Sequence, residues 1–155
     1  MSTGTQRAAD AADGLGLVYE LTRHGPVSSL AEAAAARGLE PRQIVKTMVV
    51  RVSEGDYRFV LVPGDREIAW PKLRALLGVN RLSMPPAEEA QEVTGYVRGT
   101  ITPLGSLRSL PVVADASIDG KVSIGGGDHG VAFTVEAADL LGVLAAEVAD
   151  VTDPA

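Results

Sequence analysis

Ile44-Val45-Lys46-Thr47-Met48-Val49-Val50-Arg51-Val52 runs into Ser53-Glu54-Gly55-Asp56, and Tyr57-Arg58-Phe59-Val60-Leu61-Val62 follows. Both arms are rich in β-branched and apolar residues, and the link between them carries glycine and acids, so residues 44–62 read as a β-hairpin. Short hairpins interspersed with helices predict a mixed sheet or open barrel with helices around it. A doubly wound parallel sheet would need longer crossovers.

On the N-terminal side, the first dozen residues are polar and Ala-rich, read as a frayed start or a short helix. Leu17 to Leu21 reads as a short strand, and His24-Gly25-Pro26 as a turn. Ser29-Leu30-Ala31-Glu32 is a capping box opening an Ala-rich helix that stops at Gly38. On the C-terminal side, Pro63-Gly64-Asp65 breaks the sheet, and Pro71 starts a helix through Leu73, Leu76 and Leu77 to Gly78. A short strand at Leu82, a break at Pro85-Pro86 and an acidic helix from Ala87 to Val93 come next. Strands are expected at Pro111 to Ala114, Lys121 to Ile124 and Val131 to Val135, with a tight turn at Asp119-Gly120 and a closing helix over Ala137 to Leu144. Trp70 and Phe133 are expected in the core.

At 155 residues the chain has room for one domain, in which a single core buries roughly 70% of the unfolded surface. The reading is one domain over 1–155, with its core at about 17–148. Cysteine is absent and only His24 and His129 carry imidazole. That excludes a disulfide scaffold, a thiolate metal site and a cysteine nucleophile, and leaves the expectation of no metal and no cofactor. No apolar run of membrane-spanning length and no signal pattern is present, so the expected location is cytoplasmic, with no membrane partner. Net charge is −6, yet residues 21–85 carry +4 and residues 86–155 carry −8. Such a chain is a poor candidate for gripping long nucleic acid, but its basic middle suits one or two phosphates.

Three features invite chemistry. Lys46 shares a strand face with Ile44, Met48, Val50 and Val52, so its ammonium must reach water at an edge, pair with an acid, or face a cavity that receives an anion. Gly99-Thr100-Ile101-Thr102-Pro103, with Gly105 behind, is a loop whose backbone amides a ligand can approach and whose proline stiffens it; such amides stabilise an oxyanion without a charged side chain. Gly125-Gly126-Gly127-Asp128-His129-Gly130 joins two strands and displays an acid beside an imidazole. It fits a flexible hairpin, a substrate lid, a general base or an anion nest. No Gly-Lys-Ser/Thr follows it and no helix comes next, which excludes the phosphate loop and the dinucleotide fingerprint. No G-x-S-x-G elbow supports a serine nucleophile. His24 reads as a loop residue.

Taken together, Gln43 to Thr47, Thr94 to Gly105, Leu110 to Asp115 and the Gly125–Gly130 loop resemble, in order and spacing, the YbaK family. These are free-standing relatives of the editing domain inserted in bacterial prolyl-tRNA synthetases, and the resemblance covers roughly Leu17 to Val148. It implies an α+β, barrel-like mixed sheet surrounded by helices. It also implies hydrolysis of the ester joining a wrong, small amino acid to the 3′ acceptor end of a tRNA, expected to be a proline tRNA, with an aminoacyl-tRNA synthetase as a further candidate partner. By the same resemblance Lys46 holds the phosphate of the terminal adenosine, and Gly99 and Pro103 frame a G-x-x-x-P loop contacting the ester. Thr47, Thr100, Ile101, Thr102, Gly126 and Gly127 border the substrate. Either His129 or, by a shift of one residue, Asp128 takes the place of the histidine of synthetase editing domains. Cysteine-removing relatives carry a tyrosine that Leu21 to His24 lacks, and alanine-removing ones often carry Asn where Thr47 stands, so serine, threonine and other small residues remain open. The alternative is a non-catalytic module that binds a tRNA end, a nucleotide or a synthetase.

Overall fold

A computed structural model describes residues 3–25 and 29–155, so Pro26 of the expected turn lies outside the described residues. In chain order come α1 (Gly4–Gly14), β1 (Glu20–Arg23), α2 (Leu30–Ala36), a 3-10 turn (Pro41–Gln43), β2 (Val45–Ser53) and β3 (Asp56–Pro63). After them come β4 (Arg66–Ile68), α3 (Trp70–Leu77), α4 (Ala87–Thr94), β5 (Val112–Asp115) and β6 (Lys121–Gly125). The chain ends with β7 (Val131–Glu136), α5 (Ala137–Val143), β8 (Glu147–Ala149) and β9 (Thr152–Pro154).

The hairpin is the spine of the molecule. β2 and β3 pair antiparallel, Lys46 opposite Val62 and Val50 opposite Arg58, while β5 and β8 add in parallel on the far side. The four-stranded sheet β2-β3-β5-β8 is therefore mixed, and a second sheet runs β1-β7-β6. One bridge, Ile44 to Ser123, joins the two sheets; among the described residues nothing pairs β1 with β8, so the barrel-like arrangement is open.

Period-two alternation explains why the central strands read as unbroken apolar runs. Tyr57, Phe59 and Leu61 of β3, with Val112 and Ala114 of β5, face a core shared with the second sheet, α1, α4 and α5. Val60, Val62 and Val113 face a smaller core beneath Leu73 of α3 and Val151. A sheet covered on both faces has no solvent face on which to place polar residues. Phe133 is fully buried as expected, whereas Trp70 is only half-buried, at the margin of the smaller core.

Three strands, β4, β8 and β9, escape the sequence reading. β4, just after the Pro63-Gly64-Asp65 break, pairs antiparallel with β9, Glu67 opposite Asp153, and three residues are too few to show a period. The strand expected at Leu82 is only a bridge between Arg51 and Ser83.

The N-terminal helix fastens two distant loops. Thr3 caps it by accepting from the Gln6 amide. The Asp128 carboxylate accepts from the Thr5 amide at 2.8 Å and the Thr5 hydroxyl at 2.7 Å. Gly4 lies so close that an added Cβ would stand 2.0 Å from the Gly127 carbonyl oxygen. Arg7 donates to the carbonyls of Thr94 (3.1 Å), Gly95 (3.4 Å) and Gly105 (3.4 Å), and its guanidinium lies 4.5 Å above the Tyr96 ring. Elsewhere, buried Asp115 ties β5 to the C-terminal segment by accepting from the Val151 amide at 3.1 Å and from the amide and hydroxyl of Ser117.

The hydrogen bonds from Thr5 hold the Asp128 carboxyl below the usual carboxylate range. Burial pushes Asp115 the other way, but its bonds from Ser117 and Val151 outweigh burial and lower it too. A carboxyl depressed in the folded state stabilises fully above its unfolded value, about 3.9, and loses that contribution as pH falls through the folded one. Stability therefore drops in acid below about pH 4. Asp128→Asn is expected to cost about 1–2 kcal/mol at neutral pH and to shallow this acid limb, read from urea unfolding at several pH values. Identical acid limbs in both proteins would contradict the link from Asp128 to α1.

Candidate functional site

Backbone pairing decides where the site opens. β2 has β3 on one side, but on the other it is met only by the bridges at Ile44 and Arg51. Between those bridges its outer edge borders a cavity of about 500 Å³. A sheet edge offers unpaired backbone donors and acceptors. The walls are otherwise mostly apolar, with Val45, Met48, Val49, Met84, Ala90 and Ile101 among them. Three cations, Arg37, Lys46 and Arg98, share the lining, and none of the lining residues is acidic. Such a pocket favours a ligand with an anionic part and a small apolar part.

Lys46 is exposed, and its Nζ donates to the Arg66 carbonyl at 3.1 Å. Among the described residues it has no carboxylate partner. Of its row, Ile44 and Val50 are buried while Met48 and Val52 are half-buried. The row tolerates an ammonium because β2 is an edge strand, so the edge and cavity readings of Lys46 hold together. Next to it, the Thr47 hydroxyl is buried and has no hydrogen-bond partner, and Thr47 also lines the cavity. An unsatisfied buried hydroxyl costs about 1–3 kcal/mol unless a ligand or water meets it.

The loop after α4 supplies the opposite wall. Gly99 has φ +91°, a conformation that suits glycine, and both it and Ile101 line the cavity. The Thr100 amide and hydroxyl both donate to the Val97 carbonyl, at 2.9 and 2.6 Å, so that amide is already committed. The amides of Gly99 and Ile101 have no protein acceptor among the described residues. Thr102 and Pro103 are buried outside the lining, and the Thr102 hydroxyl accepts from the Leu104 amide at 3.3 Å. His129 is exposed, and its Cε1 lies 3.6 Å from where a Cβ on Gly99 would stand.

The glycine loop has a packing explanation. A Cβ on Gly125 would stand 2.7 Å from the Ile101 carbonyl oxygen, and one on Gly126 would meet Val131 at 2.6 Å. Gly127 is wedged against Gly4 and donates to the Thr100 carbonyl at 3.0 Å. Of this loop only Gly125 lines the cavity; Gly126, Gly127 and Asp128 lie behind it, with Asp128 held on Thr5. The arrangement thus gathers Lys46, Thr47, Gly99 and Ile101 on one cavity and sets His129 beside Gly99. Thr100, Thr102, Pro103, Gly126, Gly127 and Asp128 form its backing.

Sequence reasoning missed Arg37 and Arg98, and within the 125–130 loop it did not single out Gly125. Arg98 directly precedes Gly99, and that adjacency was a usable signal. Arg37 follows α2 and looks like ordinary helix-end charge. Folded, it is half-buried; its Nη1 donates to the Ser123 hydroxyl at 3.2 Å, its Nε has no partner, and burial pulls its pKa down. Among the described residues no group of three or more His, Asp or Glu is placed to hold a metal, and no helix is long and apolar enough to cross a membrane.

Comparison with known proteins assigns the chain to a family. The proline–tRNA ligase of Thermosipho melanesiensis is 36% identical over 99 residues, covering 64% of this chain and 17% of the ligase. That of Bacillus licheniformis is 30% identical over 105 residues, covering 67% and 18%. The chain thus spans less than a fifth of the length of these curated relatives. A crystal structure of a protein proposed as a trans-editing enzyme for prolyl tRNA synthetase superposes with a TM-score of 0.88 at 29% identity, covering 99% of each chain. The family pattern of the aminoacyl-tRNA editing domain matches residues 24–143. With most of its length inside that pattern, the chain belongs to the YbaK-type aminoacyl-tRNA editing domain family.

Proposed function

We propose that the protein is an aminoacyl-tRNA hydrolase that clears a small non-cognate amino acid from the 3′ end of proline tRNA, acting in trans. The observation that carries this reading is one mostly apolar cavity whose lining holds three cations, no acid, and Gly99 and Ile101, whose amides have no protein acceptor among the described residues. The phosphate of the terminal adenosine binds at Lys46. The ester carbonyl sits at the 99–101 backbone, bordered by His129, and the amino-acid side chain enters among Val45, Val49 and Ile101. Water adds to the carbonyl, the amides of Gly99 and Ile101 hold the oxyanion, and collapse frees the amino acid and the ribose hydroxyl. An aminoacyl ester is already activated, so positioning and oxyanion stabilisation suffice without a side-chain nucleophile. The apolar walls act as a size sieve. One methylene of fit is worth about 10–200-fold, the margin that makes a second hydrolytic step useful.

The direct test offers the protein proline tRNA charged with labelled alanine, serine, threonine or cysteine. At least one is expected to be released faster than in buffer alone; release of none contradicts the reading. Lys46→Ala is expected to lower kcat/KM about 10–100-fold, the loss of one charge-assisted contact, with an unchanged circular dichroism spectrum. Full activity in that variant would remove Lys46 from the site. Gly99→Val must adopt φ +91° at about 1–3 kcal/mol of strain and intrudes on the carbonyl site, so turnover should vanish. Gly99→Ala, less bulky, separates misfolding from blockage, and wild-type rates in a folded variant would refute the assignment.

A further inference from the structure

Beyond the bridge at Arg51 and Ser83 a second cleft opens, lined by the polar side chains of Arg51, Ser53, Arg74, Asn80, Arg81 and Ser83. No acidic residue lines it. Glu89 lies 3.7 Å from Arg51 and partly balances that charge. Arg74 and Arg81 have no carboxylate partner among the described residues. The last turn of α3 carries Arg74, and the segment after it carries Asn80 and Arg81.

The two cavities are lined by adjoining stretches of the chain, with no lining residue in common. Met84 and Pro85 line the first while residues 80–83 line the second, and the Arg51 and Ser83 backbones exchange hydrogen bonds of 2.8 and 3.1 Å at the divide. Along β2, Lys46 and Arg51 are five residues apart, roughly 17 Å, a span of a few nucleotides. We propose that the Arg51/Arg74/Arg81 cleft holds backbone phosphates of the tRNA acceptor strand just upstream of its 3′ terminus. This inference rests on the first cavity receiving that terminus. Three guanidiniums with amide and hydroxyl donors fit phosphate oxygens and read no bases. The lining is mostly polar, whereas a protein partner of stable affinity would want an apolar centre. The cleft also accounts for the +4 of residues 21–85 in a chain of net −6.

The test measures binding and does not depend on turnover. Anisotropy of 5′-labelled, uncharged proline tRNA is followed over a salt series for the wild type and for Arg74→Ala/Arg81→Ala, with a labelled CA dinucleotide, too short to span the two cavities, alongside. The double variant is expected to bind tRNA about 10-fold or more weakly, with a salt slope shallower by about 1–2. Its affinity for CA should match the wild type, and Arg74→Lys/Arg81→Lys should recover much of the tRNA affinity. Unchanged tRNA affinity and slope would overturn the proposal. So would an equal loss on CA, which would put the arginines at the terminus itself. Loss of binding to an acidic peptide with tRNA binding intact would assign the cleft to a protein partner and equally overturn it. A wild type that releases no amino acid yet shows the expected tRNA effect rejects the hydrolase reading and keeps the cleft; the converse result rejects the cleft alone.

Discussion

Two side chains tie the first helix to distant parts of the chain, one arriving at Thr5 and the other leaving from Arg7. Asp128 closes on the amide and hydroxyl of Thr5, and Arg7 spreads over the carbonyls of Thr94, Gly95 and Gly105 and the face of Tyr96. Through them α1 fixes the 94–105 loop and the 125–130 loop against each other, with the Gly127 amide on the Thr100 carbonyl completing the triangle. An oxyanion donor is useful only if its position is set before the charge develops, because reorganisation would consume the gain. The amides of Gly99 and Ile101 are irregular backbone, and packing behind them supplies the rigidity that a helix or strand would give.

The second constraint is the sheet. β3 and β5 are apolar on both faces and must lie between two cores, which pushes any reactive surface to the perimeter. β2 provides it, as the strand whose outer edge is pinned at both ends and open between. Open edges are usually hazards, and charge is one way of guarding them. Here the guarding charges, Lys46 and Arg98 on the cavity and Arg51 at the divide, are also the groups suited to an anionic guest.

Much of this was legible in the residues. The hairpin at 44–62 announced itself through β-branched arms around Gly55, and Lys46 stood out as the lone cation in an apolar row. The 99–103 loop was visible from glycine and proline alone. The glycine run at 125–130 misled, because close approach to Gly4, Ile101, Val131 and His24 explains its composition, and no local pattern reveals a partner more than a hundred residues away. For the same reason Asp128 looked like a pocket acid while its real partner is Thr5. Arg37 and the Arg74/Arg81 cleft were invisible because their meaning lies in which charges lack a partner once the chain is folded.

The central claim is that the ester of an aminoacylated tRNA end sits against the Gly99 and Ile101 amides with its phosphate at Lys46. A crystal structure with a non-hydrolysable 3′-aminoacylamido adenosine 5′-phosphate tests it most directly. The account predicts the phosphate within hydrogen-bond reach of the Lys46 ammonium and the carbonyl oxygen about 3 Å from those two amides. An analogue seated elsewhere, with the edge of β2 between Ile44 and Arg51 left empty, would contradict it.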